Sequence, residues 1–199
     1  MDLSRLNKEQ QEAVKHMEGP LLILAGAGSG KTTMMTHRIA YMLEKGVSPY
    51  NILAVTFTNK AAGEMKDRIE SLTGGTRGMW VMTFHAMCVR ILRNHGEVLG
   101  FKNGFSIYDE SDKKALLKRI VKDLKIDEKI YPVSYLGSVI SSCKEAEEDP
   151  DDYIENNSMN FKAETVAKVY ARYMEDLQQN NAMDFDDLLW NVVKLFEAS

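Results

Sequence analysis

Long apolar runs are the first thing missing from these 199 residues. The longest, Leu21-Leu22-Ile23-Leu24-Ala25, is five residues. A membrane-spanning helix needs about 20, so no membrane partner is expected. Cysteine is nearly absent. Cys88 and Cys143 form no CxxC and no cluster, which argues against a disulfide scaffold or structural zinc and fits a reducing cytosol, with both thiols expected as buried small apolar groups. With only four prolines and 13 glycines against 44% apolar and 27% charged residues, collagenous, low-complexity and mostly disordered classes are excluded. The opening Met1-Asp2-Leu3-Ser4-Arg5 carries no charged-then-apolar signal pattern, so a cytoplasmic protein is expected. A basic coat is also missing. The net charge is −4, with 10 basic against 8 acidic residues over 1–84 and 15 against 21 over 85–199. Contact with nucleic acid would therefore need a local surface and not overall charge.

What is present alternates at first. Asn7 and Gln10 start a short helix running to about Met17. Leu21 to Ala25 predicts a buried strand ended by a glycine-rich turn, and Lys31 to Glu44 a helix with Met34, Met35, Ile39, Met42 and Leu43 on its apolar stripe. Ile52 to Phe57 predicts a second strand. Asn59 is expected to cap the next helix, with Ala62, Met65, Ile69 and Leu72 at helical spacing, and Met79 to Thr83 predicts a third strand. Strands that are apolar throughout, alternating with amphipathic helices, imply a parallel sheet covered on both faces. After Phe84 the pattern turns helical, near 84–99, 111–125, 134–148, 161–180 and 184–197, with one extended piece at Phe105-Ser106-Ile107. The chain ends with three strands spent, which predicts an uncovered sheet edge and a truncated domain.

The chemistry is concentrated in a few segments. Ala25-Gly26-Ala27-Gly28-Ser29-Gly30-Lys31-Thr32 stands between a predicted strand and a helix, the context of a phosphate-binding loop. There the glycines let successive N–H groups point inward and the helix N-terminus adds partial positive charge. Lys31 then reaches the β- and γ-phosphates of ATP and the Thr32 hydroxyl meets Mg²⁺. Ala25 departs from the strict motif, which begins with glycine. Upstream, Gln10 admits two readings: it completes a capping box with Asn7, or its amide pairs with adenine N6 and N7. Thr56-Phe57-Thr58-Asn59-Lys60 follows the second strand, at the end of a parallel sheet where ligands gather. Phe57 is either an ordinary core residue or a platform for a base. Thr83-Phe84-His85 repeats the theme after the third strand.

Together with Leu6 to Gln10, Ala61-Ala62 and Asp184-Phe185-Asp186-Asp187-Leu188, these segments resemble, in order and spacing, the N-terminal part of bacterial UvrD/PcrA/Rep-type superfamily 1 DNA helicases. The resemblance covers essentially the whole chain. It implies a P-loop, RecA-like parallel sheet flanked by helices, its N-terminal part at 1–84, with a mostly helical inserted subdomain at 85–199. It further implies an ATP-dependent 3′–5′ helicase or translocase with roles in repair or replication, acting on single-stranded DNA and single-strand/duplex junctions together with the remaining helicase domains. Residue by residue, Gln10 matches the adenine-reading glutamine. Gly26, Ala27, Gly28, Ser29, Gly30, Lys31 and Thr32 match the phosphate and magnesium loop. Thr33 stands where an adenine-packing arginine is frequent. Thr56, Phe57, Thr58 and Asn59 match one strand-contacting motif, Thr83, Phe84 and His85 another, and Asp184 to Leu188 a segment given a structural role.

The family's Asp-Glu-x-Gln strand, which supplies a magnesium-binding aspartate and a water-activating glutamate, does not occur here, so these residues alone are expected to hydrolyse ATP negligibly. Glu147-Glu148-Asp149 and Asp184-Phe185-Asp186-Asp187 are no substitute, reading as solvated charge and a helix start without an apolar strand before it. Seven acidic residues between Glu145 and Glu155 are expected in a solvated loop. Lys113, Lys114, Lys118, Arg119, Lys122 and Lys125 surround an apolar stripe, either as a solvated face or as contacts for duplex phosphates. Two other classes stay open, a self-contained P-loop nucleotide kinase and a non-catalytic DNA-binding module.

Overall fold

The computed structural model describes residues 2–198. The chain divides into two compact units, the first ending at Met87 and the second beginning at Cys88.

In the first unit, α1 (Lys8–Lys15) starts from a full capping box. Asn7 accepts from the Gln10 N–H at 2.8 Å, and the Gln10 side chain accepts from the Asn7 N–H at 3.0 Å. Its buried Val14 packs with Leu6 and with Met34 of α2 (Lys31–Glu44). Strands β1 (Leu53–Thr56) and β2 (Trp80–Thr83) pair in parallel, Leu53 beside Trp80 and Thr56 beside Thr83. Between them runs α3 (Asn59–Thr73), closed by Gly74 in the left-handed region, where only glycine is free of strain. Ile39, Ile52, Ala54, Met65, Ile69 and Met79 form the core beneath the pair. Met35 and Leu72, expected on apolar stripes, lie at their exposed margins.

Three expectations fail here. Leu21 to Ala25 is not a buried strand. It pairs with no strand among the described residues, and Leu22 and Leu24 are 82% and 87% exposed. Apolar character marks a segment suited to a sheet interior, but a strand exists only beside a hydrogen-bonding neighbour. The first unit thus has two paired strands, not three. The cap of α3 is Thr58, whose hydroxyl accepts from the Ala61 N–H at 3.1 Å, and Asn59 is the first helical residue. Either residue type serves as an N-cap, so sequence alone leaves the choice one position loose.

The second unit takes most of α4 (Phe84–His95), then β3 (Ser106–Tyr108), α5 (Glu110–Asp123), α6 (Val133–Glu145), α7 (Pro150–Asn156), α8 (Ala163–Gln179), β4 (Ala182–Asp184) and α9 (Phe185–Glu197). Its core is built from Leu117, Ile120, Leu136, Ile140, Val169, Tyr170 and Tyr173, each fully buried, the aliphatic ones contributing about 1.5–3 kcal/mol apiece. Cys88 and Cys143 are free and buried, and burial pushes the Cys143 thiol up to about 11. The Glu145–Glu155 run is not simply a loop. Asp149 caps α7 in a box with Asp152, with Pro150 at the first position, so acidic residues sit where the helix dipole favours them. A strand does precede Asp184. β4 is buried throughout and pairs in parallel with β3.

Lys113 is not on a solvated face either. Its ammonium lies 2.9 Å from Asp186 and 2.6 Å from the Ser141 hydroxyl. Beside it, Lys144 bridges Asp184 at 2.8 Å and Asp187 at 2.6 Å, with its side chain fully buried. Asp184 also caps α9 and accepts from the Tyr173 hydroxyl at 2.9 Å. Burial by itself would raise both carboxyls. At Asp184 the charge and hydrogen bond of Lys144 prevail and hold it below the usual carboxylate range. At Asp187 burial, with the negative charge of Asp184 adding to it, wins and lifts the group to about 6.

Candidate nucleotide loop and nucleic-acid edge

The glycine-rich turn leads from the exposed Leu21–Ala25 segment into α2. Gly28 and Gly30 have φ of +75° and +80°, and Gly30 is the residue on which α2 begins. A side chain at Gly30 would also press on the Gln10 amide nitrogen, 3.1 Å from the added carbon. The turn is tied by the Ser29 hydroxyl donating to the Gly26 carbonyl at 2.7 Å. Gln10 donates to the Ser29 carbonyl at 2.9 Å. Gln10 thus closes the capping box of α1 and ties the loop to it, and its second amide hydrogen meets no acceptor among the described residues.

Lys31 is exposed, and its ammonium donates to the carbonyls of Ala25 at 2.8 Å and Gly26 at 2.7 Å. It lies across the turn, at the positive end of α2. Gln10, Ala25, Ser29 and Lys31 line one cavity of about 290 Å³. Lys31 also borders a second, of about 340 Å³, with Arg38 on its far side. Arg38, two turns along α2 from Lys31 and donating to the Ala13 carbonyl, was readable from that seven-residue spacing but carries no motif. The Thr32 hydroxyl makes no hydrogen bond within the described residues, and no group of three or more His, Cys, Asp or Glu there is placed to hold a metal. Ala27 is exposed. Thr33 lines neither cavity, and its carbonyl accepts from Thr36 and His37.

Pairing in parallel and in register brings the carboxyl ends of β1 and β2 together, Thr56 beside Thr83. The next residue of each strand is a phenylalanine. Phe57 and Phe84 therefore emerge side by side, ring centroids 5.6 Å apart and inclined at 45°. Phe57 is 89% exposed and Phe84 37%, so the core reading of Phe57 is wrong. A large apolar ring held open to solvent beside a second one forms an exposed apolar patch at this edge of the sheet. The hydroxyls around it have local work: Thr56 donates to the Thr58 carbonyl, and Thr58 and the buried Thr83 cap α3 and α4. Asn59, two residues after Phe57, is exposed, and His85 is half-buried.

The chain thus carries an α/β unit with a glycine-rich turn at the head of a helix, followed by a mostly helical unit. It belongs to the UvrD/REP helicase N-terminal domain family, whose model matches residues 6–199. It is 48% identical over 198 residues to the ATP-dependent DNA helicase PcrA of Staphylococcus aureus strain Mu50, and 49% identical to that of Staphylococcus epidermidis strain RP62A. Each match covers 98% of this chain and 27% of the relative, so the chain spans about a quarter of the length of these relatives. No described helix is long and apolar enough to cross a membrane.

Proposed function

We propose that this chain is the ATP-gripping and strand-gripping part of a DNA helicase of the UvrD type, with its loop seated in a RecA-like fold. The observation that carries the proposal is the turn from Ala25 to Thr32, with two glycines at positive φ and Lys31 at the head of α2. In this reading Lys31 leaves the Ala25 and Gly26 carbonyls for the β- and γ-phosphates, to which the amides from Gly28 to Thr32 also donate. The Thr32 hydroxyl meets Mg²⁺, which neutralises phosphate charge. Gln10 turns its remaining amide hydrogen to the adenine ring and keeps Ser29 in place. Thr33 is too short to pack on the base as an arginine would.

Unpaired DNA crosses the sheet edge, stacked on Phe57 and Phe84 and steadied by Thr56, Thr58, Asn59, Thr83 and His85. Exposed Lys114, Lys118 and Lys122 of α5 are the candidates for duplex phosphates at a junction. In the intact protein the exposed Leu21–Ala25 segment gains strand neighbours from the remaining helicase domains. ATP-driven closure between two RecA-like domains then shifts the grip of this edge on DNA, moving the protein 3′ to 5′. The S. aureus and S. epidermidis relatives are named ATP-dependent DNA helicases, which supports this reading over a nucleotide kinase.

Steady-state ATPase with and without single-stranded DNA separates the alternatives. The 199 residues should show negligible turnover in both conditions, because no Asp-Glu-x-Gln strand is present. Phosphate transfer to a small nucleotide would favour the kinase, and DNA-stimulated turnover would contradict the assignment of hydrolysis to residues outside this chain. Phe57→Ala should weaken binding of a single-stranded oligonucleotide by about five- to 150-fold, the effect of removing about 1–3 kcal/mol of stacking. Fluorescence anisotropy reads it, and an unchanged affinity would remove Phe57 from the DNA edge.

A further inference from the structure

The helical unit contains a second cavity with the attributes of a binding site, and it is independent of the loop at Lys31. It measures about 280 Å³ and lies between the Leu99–Phe101 stretch, α8 and α9. That is close to the lower limit for small-molecule sites, about 300 Å³, so it suits a single ring system. Its walls are mainly apolar, with Phe101, Leu177 and Trp190 all buried.

The polar groups are few and converge. Asn191 lines the cavity and is 9% exposed, yet its amide makes no hydrogen bond with any described residue. All fully enclosed side-chain polar atoms among the described residues are hydrogen-bonded, so the Asn191 amide reaches the cavity space. An amide that opens on the cavity with no protein partner is available to a ligand presenting both a donor and an acceptor. Gln178 donates to the Gly100 carbonyl at 3.2 Å, which leaves its own amide oxygen turned to no protein donor. The Trp190 N–H is also without a hydrogen bond to the described residues. The Lys194 ammonium sits 3.6 Å from the centre of the Trp190 ring. Asp187, at the far end, is committed to Lys144.

We propose that this cavity binds a purine base, with the Asn191 amide pairing to its donor–acceptor edge, Gln178 accepting at the mouth, and Phe101 and Trp190 as apolar walls. An amide pairs in this bidentate way with adenine N6 and N7. An aliphatic ligand would leave Asn191 and Gln178 as unsatisfied as before, and a simple anion would answer Lys194 alone. The base can come from a free nucleoside or from an unpaired residue of a DNA strand turned into the cavity, as proteins that read single bases do.

The test uses the two-tryptophan chain with Trp80→Phe, so that emission reports Trp190 alone. It is titrated with deoxyadenosine, with an oligo-dA strand, and with a strand of the same length carrying abasic sites. A saturable emission change with deoxyadenosine identifies the free nucleoside as sufficient. A change with oligo-dA only, absent with the abasic strand, identifies a strand base. In either case Asn191→Ala and Gln178→Ala should each weaken the response by about ten-fold or more. Neither should lower the thermal midpoint by circular dichroism: Asn191 gives up no protein hydrogen bond, and Gln178 is exposed. No response to either adenine probe at millimolar concentration, equal response to the abasic strand, or full affinity in both variants would overturn the proposal.

Discussion

Lys144→Met is expected to unfold the helical unit more readily by about 3–5 kcal/mol, the usual effect of removing one partner from a buried ion pair. The Lys144 side chain is fully buried between Asp184 and Asp187, at 2.8 and 2.6 Å. Methionine fills a similar volume, so the loss is electrostatic. The carboxyls of Asp184 and Asp187 would be left at the start of α9 without the ammonium between them, with Lys113 3.9 Å from Asp184. Thermal melting should show the midpoint falling by more than about 12 °C, at about 4 °C or more per kcal/mol for a unit of this size. Adding Asp187→Asn to Lys144→Met should restore a large part of the loss, because the charge is then no longer stranded. A change below about 1 kcal/mol in the single variant would mean that the network contributes little to the fold.

Lys31→Ala is expected to weaken binding of Mg·ATP by at least ten-fold and up to about a hundredfold, with the fold unchanged. Each hydrogen bond from an ammonium to phosphate is worth about 1.5–3 kcal/mol. Lys31 is exposed and bonds only to the carbonyls of Ala25 and Gly26, so its removal strands no buried group. Calorimetric titration with a non-hydrolysable ATP analogue reads the change. The same titration with adenosine should show no dependence on Lys31. Equal affinity of parent and variant for the triphosphate would contradict the role of the lysine.

The residues that sequence read best are those whose function is local. The loop from Ala25 to Thr32 is written in consecutive residues, and its backbone follows from Gly28 and Gly30. The pairing of Phe57 with Phe84 was legible only in outline: two strands, each followed by a phenylalanine, say nothing of register until parallel pairing sets Thr56 beside Thr83. Once that is given, the two rings must be neighbours. Helices with strong apolar periodicity, α5 and α8 among them, were found within two residues of their ends.

What was missed depends on contacts distant in sequence. Lys113 sits in a helix among other lysines and Lys144 is the one lysine of α6, and the carboxylates that pair with them lie 73 and 40 residues further on, in the Asp184–Asp187 turn. β4 is three residues long, too short for any period to show, whereas β3 (Ser106–Tyr108) fell on the extended piece expected at Phe105-Ser106-Ile107. α7 was hidden because its capping acids read as an acidic run. Leu21 to Ala25 shows the converse error. Its apolar residues were read as a buried strand, but pairing is a property of two segments, and no strand pairs with it among the described residues.

Backbone amide shifts of the Ala25–Thr32 turn, followed by ¹⁵N NMR during titration with Mg·ATP, test the grip on phosphate most directly. Large, saturable shifts confined to Gly28, Ser29, Gly30, Lys31 and Thr32, seen with ATP and ADP and absent with adenosine, are the predicted result. Shifts that are absent, or that are the same with adenosine as with ATP, would contradict it.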